Sequence, residues 1–204
     1  MFIPALDAAR DDAECWEFLV AQGFGHLVAP GQQREFPVVV PTQFAVRGRT
    51  ILLHLARPNP IWAALAEQPV AMLSVAGDWA YVPGAWNAID GEDPGAGIPT
   101  TYYGAVQVSG DVAVLDSPAE LLALLRTQLA VVEPELPDPA QHESRLAGIR
   151  GIVLTPREIR GKFKYGGNVD EAHRAGVASR LSRRSGAGDR AALAHLQRRT
   201  PLPD

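Results

Sequence analysis

Cysteine is nearly absent from this chain of 204 residues, which has a single thiol at Cys15. One cysteine cannot form an intramolecular disulfide, so nothing in the composition points to an oxidising compartment. The chain also lacks an apolar run of about 18 residues, the length that spans a membrane. Residues 1–7 have neither the basic start nor the apolar stretch of a signal peptide. We therefore predict a cytoplasmic protein.

Several common catalytic and metal-binding signatures are missing as well. The five histidines show no His-x-x-x-His or Cys/His spacing, so we predict no dedicated metal site. No phosphate-binding Gly-x-x-x-x-Gly-Lys-Ser/Thr loop occurs, and Gly23-Phe24-Gly25 is only a fragment of a dinucleotide fingerprint. A Gly-x-Ser-x-Gly elbow is absent, which leaves hydrolytic chemistry poorly supported. A triad assembled from scattered residues stays open.

The charge of the chain is small in total but unevenly distributed. The net charge is −4, yet residues 1–149 hold 7 Lys/Arg against 18 Asp/Glu, and residues 150–204 hold 12 against 5. The basic C-terminal quarter suggests an anionic ligand, an acidic partner surface or nucleic acid. The alternative is a pair of solvated helices whose basic face complements the acidic body of the protein.

The apolar pattern predicts many short strands and few helices. Alternation typical of strands occurs at residues 24–29, 36–46, 50–56, 70–76, 79–82, 100–115, 151–155 and 158–165. Helical periodicity occurs at residues 8–22, 60–68, from 117 onward and in an Arg-rich tail broken at residues 186–188. Short, largely antiparallel strands with peripheral helices indicate an α+β fold built on a β-barrel.

Turn and cap signals refine this prediction. Gly77-Asp78 predicts a hairpin turn, and Pro37 and Pro41 should bend the strand at 36–46 or keep it at a sheet edge. Ser117 and Glu120 form the sequence of a capping box at a helix start. Residues 83–99 are rich in glycine and proline and predict a loop, which at this length is often functional.

The segment from Leu53 to Trp62 combines a buried strand, a cation and a helix start. Pro60 suits the first helical position and Asn59 the N-cap, so Arg57 would lie beside unpaired helix N–H groups. That arrangement is typical of a phosphate site. The alternative is a strand–helix junction with a capping asparagine and a solvated arginine.

A second basic element lies near the end of the last predicted strand. Alternation puts Lys162 and Lys164 on one face of that strand, roughly 6–7 Å apart. Two like charges repel unless an anion or acidic groups lie between them. An edge strand protected by lysines explains the pair equally well. Thr100 and Thr101 offer hydroxyls at another strand start, either for a phosphate or for a turn.

Together these segments resemble a known family, the PaiB-like FMN-binding negative transcriptional regulators. The resemblance is carried, in order, by the segments His-Leu-Ala-Arg-Pro-Asn-Pro-Ile-Trp at 54–62, Trp-Ala-Tyr-Val-Pro at 79–83, Ile-Pro-Thr-Thr-Tyr-Tyr at 98–103 and Gly-Lys-Phe-Lys at 161–164. It implies a mostly antiparallel flavin split β-barrel, like that of pyridoxamine-phosphate oxidases, with peripheral helices and a helical C-terminal tail. It also implies a homodimer with FMN at the subunit interface and contact with DNA.

The resemblance assigns cofactor-binding residues position by position. His54, Arg57 and Asn59 would lie near the phosphate and ribityl chain, Thr100, Thr101 and Tyr102 at the strand entering the flavin site, and Lys162 and Lys164 in its basic wall. The implied domains are a split barrel at 1–165 and a basic helical extension at 166–204. The chain departs from many members at residues 85–87, 101–103 and 166–167, where polar partners are removed or moved.

Two other functions remain open beside a repressor of this type. One is a flavin-dependent oxidoreductase that uses a nicotinamide donor and a small or cofactor-like substrate. The other is a binding module for a flavin relative or haem, for which His26 and His54 would be the only histidines to consider as ligands. No helix-turn-helix pattern is evident, so the basic tail is the local candidate for a DNA contact.

Overall fold

The computed structural model describes residues 1–32, 34–88, 93, 95, 97–135 and 138–199. It contains seven strands: β1 (Phe24–Ala29), β2 (Val38–Gln43), β3 (Ala45–Arg47), β4 (Thr50–Ala56), β5 (Val70–Val82), β6 (Thr100–Leu115) and β7 (Ile149–Lys164). The helices are α1 (Asp12–Gln22), α2 (Ile61–Glu67), α3 (Pro118–Val132), α4 (Glu171–Arg184) and α5 (Asp189–Arg198). Short 3-10 segments occupy Ala5–Asp7, Gly84–Trp86 and Pro139–Gly148.

The strands form one antiparallel sheet in the order β2-β1-β5-β6-β7-β4-β3. Strand β1 pairs with β2 in the register His26 opposite Pro41, and β4 pairs with β7 in the register His54 opposite Gly151. The predicted α+β class with peripheral helices and a helical tail is confirmed. The proline-bearing strand β2 lies at a sheet edge, as predicted, because proline cannot donate to a second neighbour.

Three local predictions are wrong. Gly77-Asp78 is not a hairpin turn: β5 runs straight through it, with Asp78 in the left-handed conformation at φ 52°. The strands predicted at 151–155 and 158–165 are one strand, β7, which continues through Pro156. Helix α2 begins at Ile61, one residue later than predicted. Parts of the predicted loop at 83–99 and of a Pro-rich connection at 133–139 lie outside the described residues.

The chain divides into two compact units. Unit 1 comprises Met1–Glu14, Ala76–Ala105 and Gly161–Asp204, and unit 2 comprises Cys15–Val75 and Val106–Arg160. The described part of the predicted C-terminal extension, residues 166–199, belongs to unit 1. The boundary predicted at residue 165 stays a prediction. Among the described residues, no helix is both long enough and apolar enough to cross a membrane.

Unit 2 has a core of aliphatic side chains covered by α3. Its fully buried residues include Leu27, Ile51, Leu53, Leu73, Leu121 and Ile152. Helix α3 starts at the predicted capping box, which is confirmed: Ser117 accepts from the Glu120 N–H, and the Glu120 side chain accepts from Ser117. A Cβ at Gly151 would come within 2.9 Å of Leu124, so the absence of a side chain there lets α3 lie close to the sheet.

Unit 1 has a more aromatic core, which the tail helices complete. The Tyr165 ring stacks on the His195 imidazole with 4.6 Å between centroids and 10° between planes. The Asp78 carboxylate contacts His195 Nε2 at 2.8 Å, and the Tyr165 hydroxyl donates to the Asp78 carbonyl at 3.0 Å. Helix α5 is therefore held against β5 by contacts between residues far apart in sequence.

Candidate functional site

A cavity of about 630 Å³ opens within unit 1. Its lining comes from the start of β6 and the residues before it, the end of β7 with the loop that follows, and the first turn of α4. Asn87 contributes from the 3-10 segment after β5. Cavities that hold cofactors usually measure about 300–1,000 Å³, so this one has room for a small cofactor.

Lys164 provides the cation of this cavity. Its Nζ donates to the Thr100 hydroxyl at 2.6 Å, and both side chains are half-buried. The bond fixes the ammonium group at the cavity wall without neutralising its charge, because threonine carries none. A negatively charged ligand group beside Lys164 would therefore gain a charge-assisted hydrogen bond.

Tyr102 supplies a hydroxyl to the same cavity. The side chain is only 2% exposed and packs edge-to-face on Tyr165, with 6.0 Å between ring centroids. Burial raises the pKa of the Tyr102 phenol, so the hydroxyl stays protonated at neutral pH. No described residue forms a hydrogen bond with this hydroxyl, and it can therefore donate to a ligand.

The local structure explains why this chain has glycine at residues 166 and 167, where it departs from many members of the family. Gly166 has φ 71°, and a Cβ there would lie 2.6 Å from the Tyr102 hydroxyl oxygen. A Cβ at Gly167 would lie 2.5 Å from the Leu6 carbonyl oxygen. Both positions therefore need glycine in this chain: side chains there would close the cavity beside Tyr102 or displace the N-terminal segment.

His173 and Asn87 also line the cavity, and neither was predicted as a site residue. His173 lies in the first turn of α4, where Asp170 caps the helix by accepting the His173 backbone N–H at 2.8 Å. The Asn87 side chain donates to the Ile98 carbonyl at 2.7 Å. A helix-cap signal at Asp170 was readable in the sequence, but nothing local indicated which strand end the helix would approach.

Lys162 does not line this cavity, although it shares a strand with Lys164. Its Nζ lies 3.8 Å from the Asp7 carboxylate and donates to the Phe2 carbonyl at 3.4 Å. It also lies 5.7 Å from the centroid of the Tyr103 ring. The two lysines therefore do not act as a pair. Lys162 holds the N-terminal segment, and Lys164 lines the cavity. Thr101 is half-buried on β6.

The remaining predicted site residues lie in unit 2. His54 Nδ1 and the Gln128 amide oxygen are 2.6 Å apart. The Asn59 side chain accepts from the Ile61 N–H at 3.0 Å, but the N-cap position of α2 is Pro60 and not Asn59 as predicted. Since His54, Arg57 and Asn59 belong to unit 2 and the cavity residues to unit 1, their meeting in one site stays a prediction.

Arg57 lies in a cluster of three charged side chains. Its guanidinium donates to the Ala147 carbonyl at 2.8 Å and pairs with Asp116 at 3.1 Å. Arg150 binds the same carboxylate at 2.5 Å. Hydrogen bonds from Arg150, with a smaller contribution from Arg57, lower the pKa of Asp116. Two guanidinium groups share one carboxylate, so the cluster keeps a net positive charge.

Most of the arginines that make the tail basic are used inside unit 1. Arg174 donates to the carbonyl oxygens of Gly166, Leu196 and Arg199, and it is buried. Arg184 pairs with the buried Asp189, and Arg199 pairs with Glu14 at 3.0 Å. These contacts attach α4 and α5 to the rest of the unit. The contacts therefore favour a structural role for most of the tail arginines over a free cationic surface.

Comparison with known proteins identifies the family. Residues 1–156 match the family described as "Putative FMN-binding domain". The chain belongs to this family. It is also 26% identical over 191 residues to the Bacillus subtilis "Protease synthase and sporulation protein PAI 2", covering 89% of each chain. The predicted resemblance to PaiB-like FMN-binding proteins is therefore confirmed.

Solved structures agree with the fold expected of this FMN-binding-domain family. A FAD and heme binding protein from Mycobacterium smegmatis matches with a TM-score of 0.63 at 18% identity, covering 85% of this chain and 80% of that one. A conserved hypothetical protein from Mycobacterium tuberculosis matches with a TM-score of 0.62 at 14% identity, covering 84% and 95%. At these identities the likeness concerns the fold alone. The predicted split β-barrel is confirmed.

The cavity of this family member fits a flavin by its own chemistry. Its lining combines a cation at Lys164, a hydroxyl at Tyr102 and the polar side chains of Asn87 and Asn168. A flavin ring carries carbonyl oxygens and ring nitrogens that such groups can bind. Lys164 and His173 lie beyond the residues that match the family.

Proposed function

We propose that this protein binds FMN and that the cavity of unit 1 receives part of the cofactor. The observation that carries the proposal is the convergence of Lys164, Tyr102 and His173 on one cavity in a chain of the FMN-binding-domain family. Bound FMN would supply one- and two-electron redox chemistry. The protein's own part is to bind, to orient and to fix charge.

Three of the residues that line the cavity have definite parts in this proposal. Lys164 stabilises negative charge on the bound cofactor, which grows when a flavin is reduced. Thr100 keeps the Lys164 ammonium in position through the 2.6 Å hydrogen bond. Tyr102 donates from a hydroxyl that stays protonated because its pKa is raised by burial.

We assign His54, Arg57 and Asn59 to the phosphate and ribityl side of the cofactor, as the family resemblance implies. The net positive charge of the cluster formed by Arg57, Arg150 and Asp116 supports this assignment, because a phosphate dianion is attracted to it. Thr101 is assigned to the strand that enters the flavin site. Lys162 is assigned an indirect part, because it holds the N-terminal segment in place.

Titration of FMN with purified protein tests the proposal. We expect the fluorescence of FMN to be quenched with a dissociation constant in the micromolar range or below, because several charged and hydrogen-bonding groups converge on the cavity. Riboflavin, which lacks the phosphate, serves as the matched ligand and should bind more weakly. Folded protein that leaves FMN fluorescence unchanged up to 100-fold excess would rule the cofactor out.

We further propose that the protein is a homodimer with FMN at the subunit interface. Two features of unit 2 support a dimer. Strand β2 lies at the edge of the sheet, and apolar side chains on it or near it are exposed: Phe24 is 55%, Phe36 74% and Val39 51% exposed. Unpaired edges with apolar side chains favour association. Sedimentation equilibrium should give twice the chain mass of 21.9 kDa, and a monomer at micromolar concentration would contradict the proposal.

The last part of the proposal is a role as a PaiB-type negative regulator of transcription that contacts DNA through its tail. The similarity to the PAI 2 protein, whose name refers to protease synthase and sporulation, supports this role. Arg183 and Arg190 are the tail cations to examine first, because both are exposed, unlike Arg174 and Arg199.

Neutralising these two arginines tests the DNA contact without disturbing the tail. We expect the double variant Arg183→Gln/Arg190→Gln to bind promoter DNA more weakly and to reduce the slope of log affinity against log salt by about 2, since each phosphate contact contributes about 0.9. Arg47→Gln, an exposed cation on β3, is the matched control. A slope equal to that of the unmodified protein would remove the tail from the DNA interface.

A further inference from the structure

One part of the cavity lining comes from two short segments that are held together. Residues 84–87 follow β5, residues 97–99 precede β6, and both segments contribute to the lining. The Asn87 side chain in the first segment donates to the Ile98 carbonyl in the second at 2.7 Å. Each segment also has one glycine, and a Cβ on either glycine would clash with the carbonyl oxygen of the other. The position of the second segment therefore depends on what holds the first.

Helix α4 holds the first segment through two arginines. The Arg180 guanidinium donates to the Trp86 carbonyl at 3.2 Å. The Arg184 guanidinium lies over the Trp86 ring, 4.7 Å from its centroid, and donates to the Tyr81 carbonyl at 2.8 Å. Trp86 is therefore held at its backbone by one arginine and at its side chain by the other, and Asn87 follows it directly.

The same helix also contributes to the cavity directly. Asp170, which caps α4, and His173 in its first turn belong to the lining. Arg180 lies about two turns further along the helix and outside the described lining of the cavity. Helix α4 therefore joins two parts of the lining, because it forms one part with its start and holds the other part through Arg180.

The two arginines differ in what else they do. Arg184 pairs with the carboxylate of Asp189, a residue that is only 1% exposed. Removing Arg184 would leave that buried carboxylate without its counter-ion and would destabilise the fold. Arg180 donates to a neutral carbonyl, so its replacement leaves no buried charge behind. Arg180 is therefore the residue at which an effect on the cavity can be separated from an effect on stability.

We propose that Arg180 is a positioning residue of the cofactor site. It fixes the Trp86 carbonyl and thereby directs the Asn87 side chain toward the Ile98 carbonyl, so the segment before β6 keeps its place in the cavity lining. The inference rests on the proposed FMN binding and deepens it, because it adds a residue beyond the stretch 1–156 that matches the family. It also gives a tail arginine a part that is separate from the proposed DNA contact.

The variant Arg180→Met tests this assignment, because methionine keeps an aliphatic stem but lacks the donor. We expect the dissociation constant for FMN to increase about fivefold, the size of one lost hydrogen bond. In FMN-free protein, peptides that cover residues 97–102 should exchange hydrogen for deuterium faster. Peptides from α5 should exchange at an unchanged rate, because the contact of His195 with Asp78 holds that helix. Arg180→Lys, which keeps a donor, should recover most of the affinity.

A double variant tests whether Arg180 acts through Asn87. Asn87→Ala removes the hydrogen bond to the Ile98 carbonyl, so Arg180 then has nothing left to position. We expect Arg180→Met/Asn87→Ala to bind FMN as tightly as Asn87→Ala alone, since the two effects belong to one chain of contacts. Losses of affinity that multiply in the double variant would overturn the assignment, and so would an Arg180→Met protein that binds FMN as tightly as the unmodified chain.

The matched control is Arg198→Met, which removes an exposed arginine of α5 whose Nε donates to the Ala194 carbonyl of the same helix at 3.1 Å. It should change neither the affinity nor the exchange at residues 97–102. Faster exchange in α5 as well in Arg180→Met would show a general loss of structure and overturn the assignment. If the unmodified protein does not bind FMN, the proposed function fails. Faster exchange at residues 97–102 in Arg180→Met would still show that Arg180 positions this segment, and unchanged exchange would overturn that too.

Discussion

Replacing Arg174 with methionine should lower the free energy of unfolding by about 3 kcal/mol, the size expected when a buried charged hydrogen-bond donor is removed. The Arg174 guanidinium donates to the Gly166 carbonyl at 2.9 Å and to the carbonyls of Leu196 and Arg199. Methionine fills similar space but removes the charged donor from three carbonyl oxygens, of which those of Gly166 and Leu196 keep only a long backbone hydrogen bond. Urea denaturation followed by circular dichroism measures the loss.

Two further variants make this result specific. Arg183→Met changes an exposed arginine on the same helix and should alter stability by less than about 0.5 kcal/mol. Arg174→Lys keeps the charge but lacks the planar group that reaches several carbonyls at once, so it should recover only part of the loss. An Arg174→Met protein as stable as the unmodified chain would mean that the Arg174 hydrogen bonds contribute nothing to the attachment of α4 and α5.

Replacing Lys164 with methionine should weaken FMN binding about 30-fold, which corresponds to about 2 kcal/mol, the range for a charge-assisted hydrogen bond. Lys164 is the cation of the cavity, and its ammonium is already held in place by Thr100 at 2.6 Å. Its loss removes both the donor and the attraction for negative charge. Fluorescence titration at fixed ionic strength measures the change.

The control for Lys164 is Arg47→Met, which removes one positive charge from an exposed position on β3. This variant separates a local contact from a general effect of net charge, and its affinity should stay within twofold. The thermal midpoint of FMN-free Lys164→Met should also stay close to that of the unmodified protein, because Lys164 is half-buried and Thr100 can turn to solvent. Equal affinities in the two variants would contradict the part assigned to Lys164.

Features that depend only on neighbouring residues could be predicted from the sequence. The capping box at Ser117 and the edge position of the proline-bearing strand follow from local chemistry, and both are present. The split barrel and the family followed from the order of several short motifs. Each motif alone was weak, but their order along the chain was specific.

Prediction failed where a contact between distant residues decides the local conformation. Gly77-Asp78 is typical of a hairpin turn, yet Asp78 lies inside β5 because His195 and Tyr165 bind it. Both partners lie more than 80 residues away along the chain. No local pattern distinguishes a turn from a strand that continues through Gly77-Asp78 to meet such partners.

The same limit applies to the candidate site. The sequence indicated Lys162 and Lys164 as a pair, but it gave no sign that Asp7 would take Lys162. The basic tail looked like a cationic surface, whereas Arg174 is buried among backbone carbonyls. Residue types predicted the chemistry available to the site, and only the tertiary contacts determine which charges remain free for a ligand.

Hydrogen–deuterium exchange with and without saturating FMN tests the central claim most directly, because it reports where the cofactor binds. We expect slower exchange in peptides that cover residues 97–102 and 164–173, the segments that line the cavity of unit 1. FMN that binds without slowing exchange in either segment would show that the cofactor does not bind in this cavity.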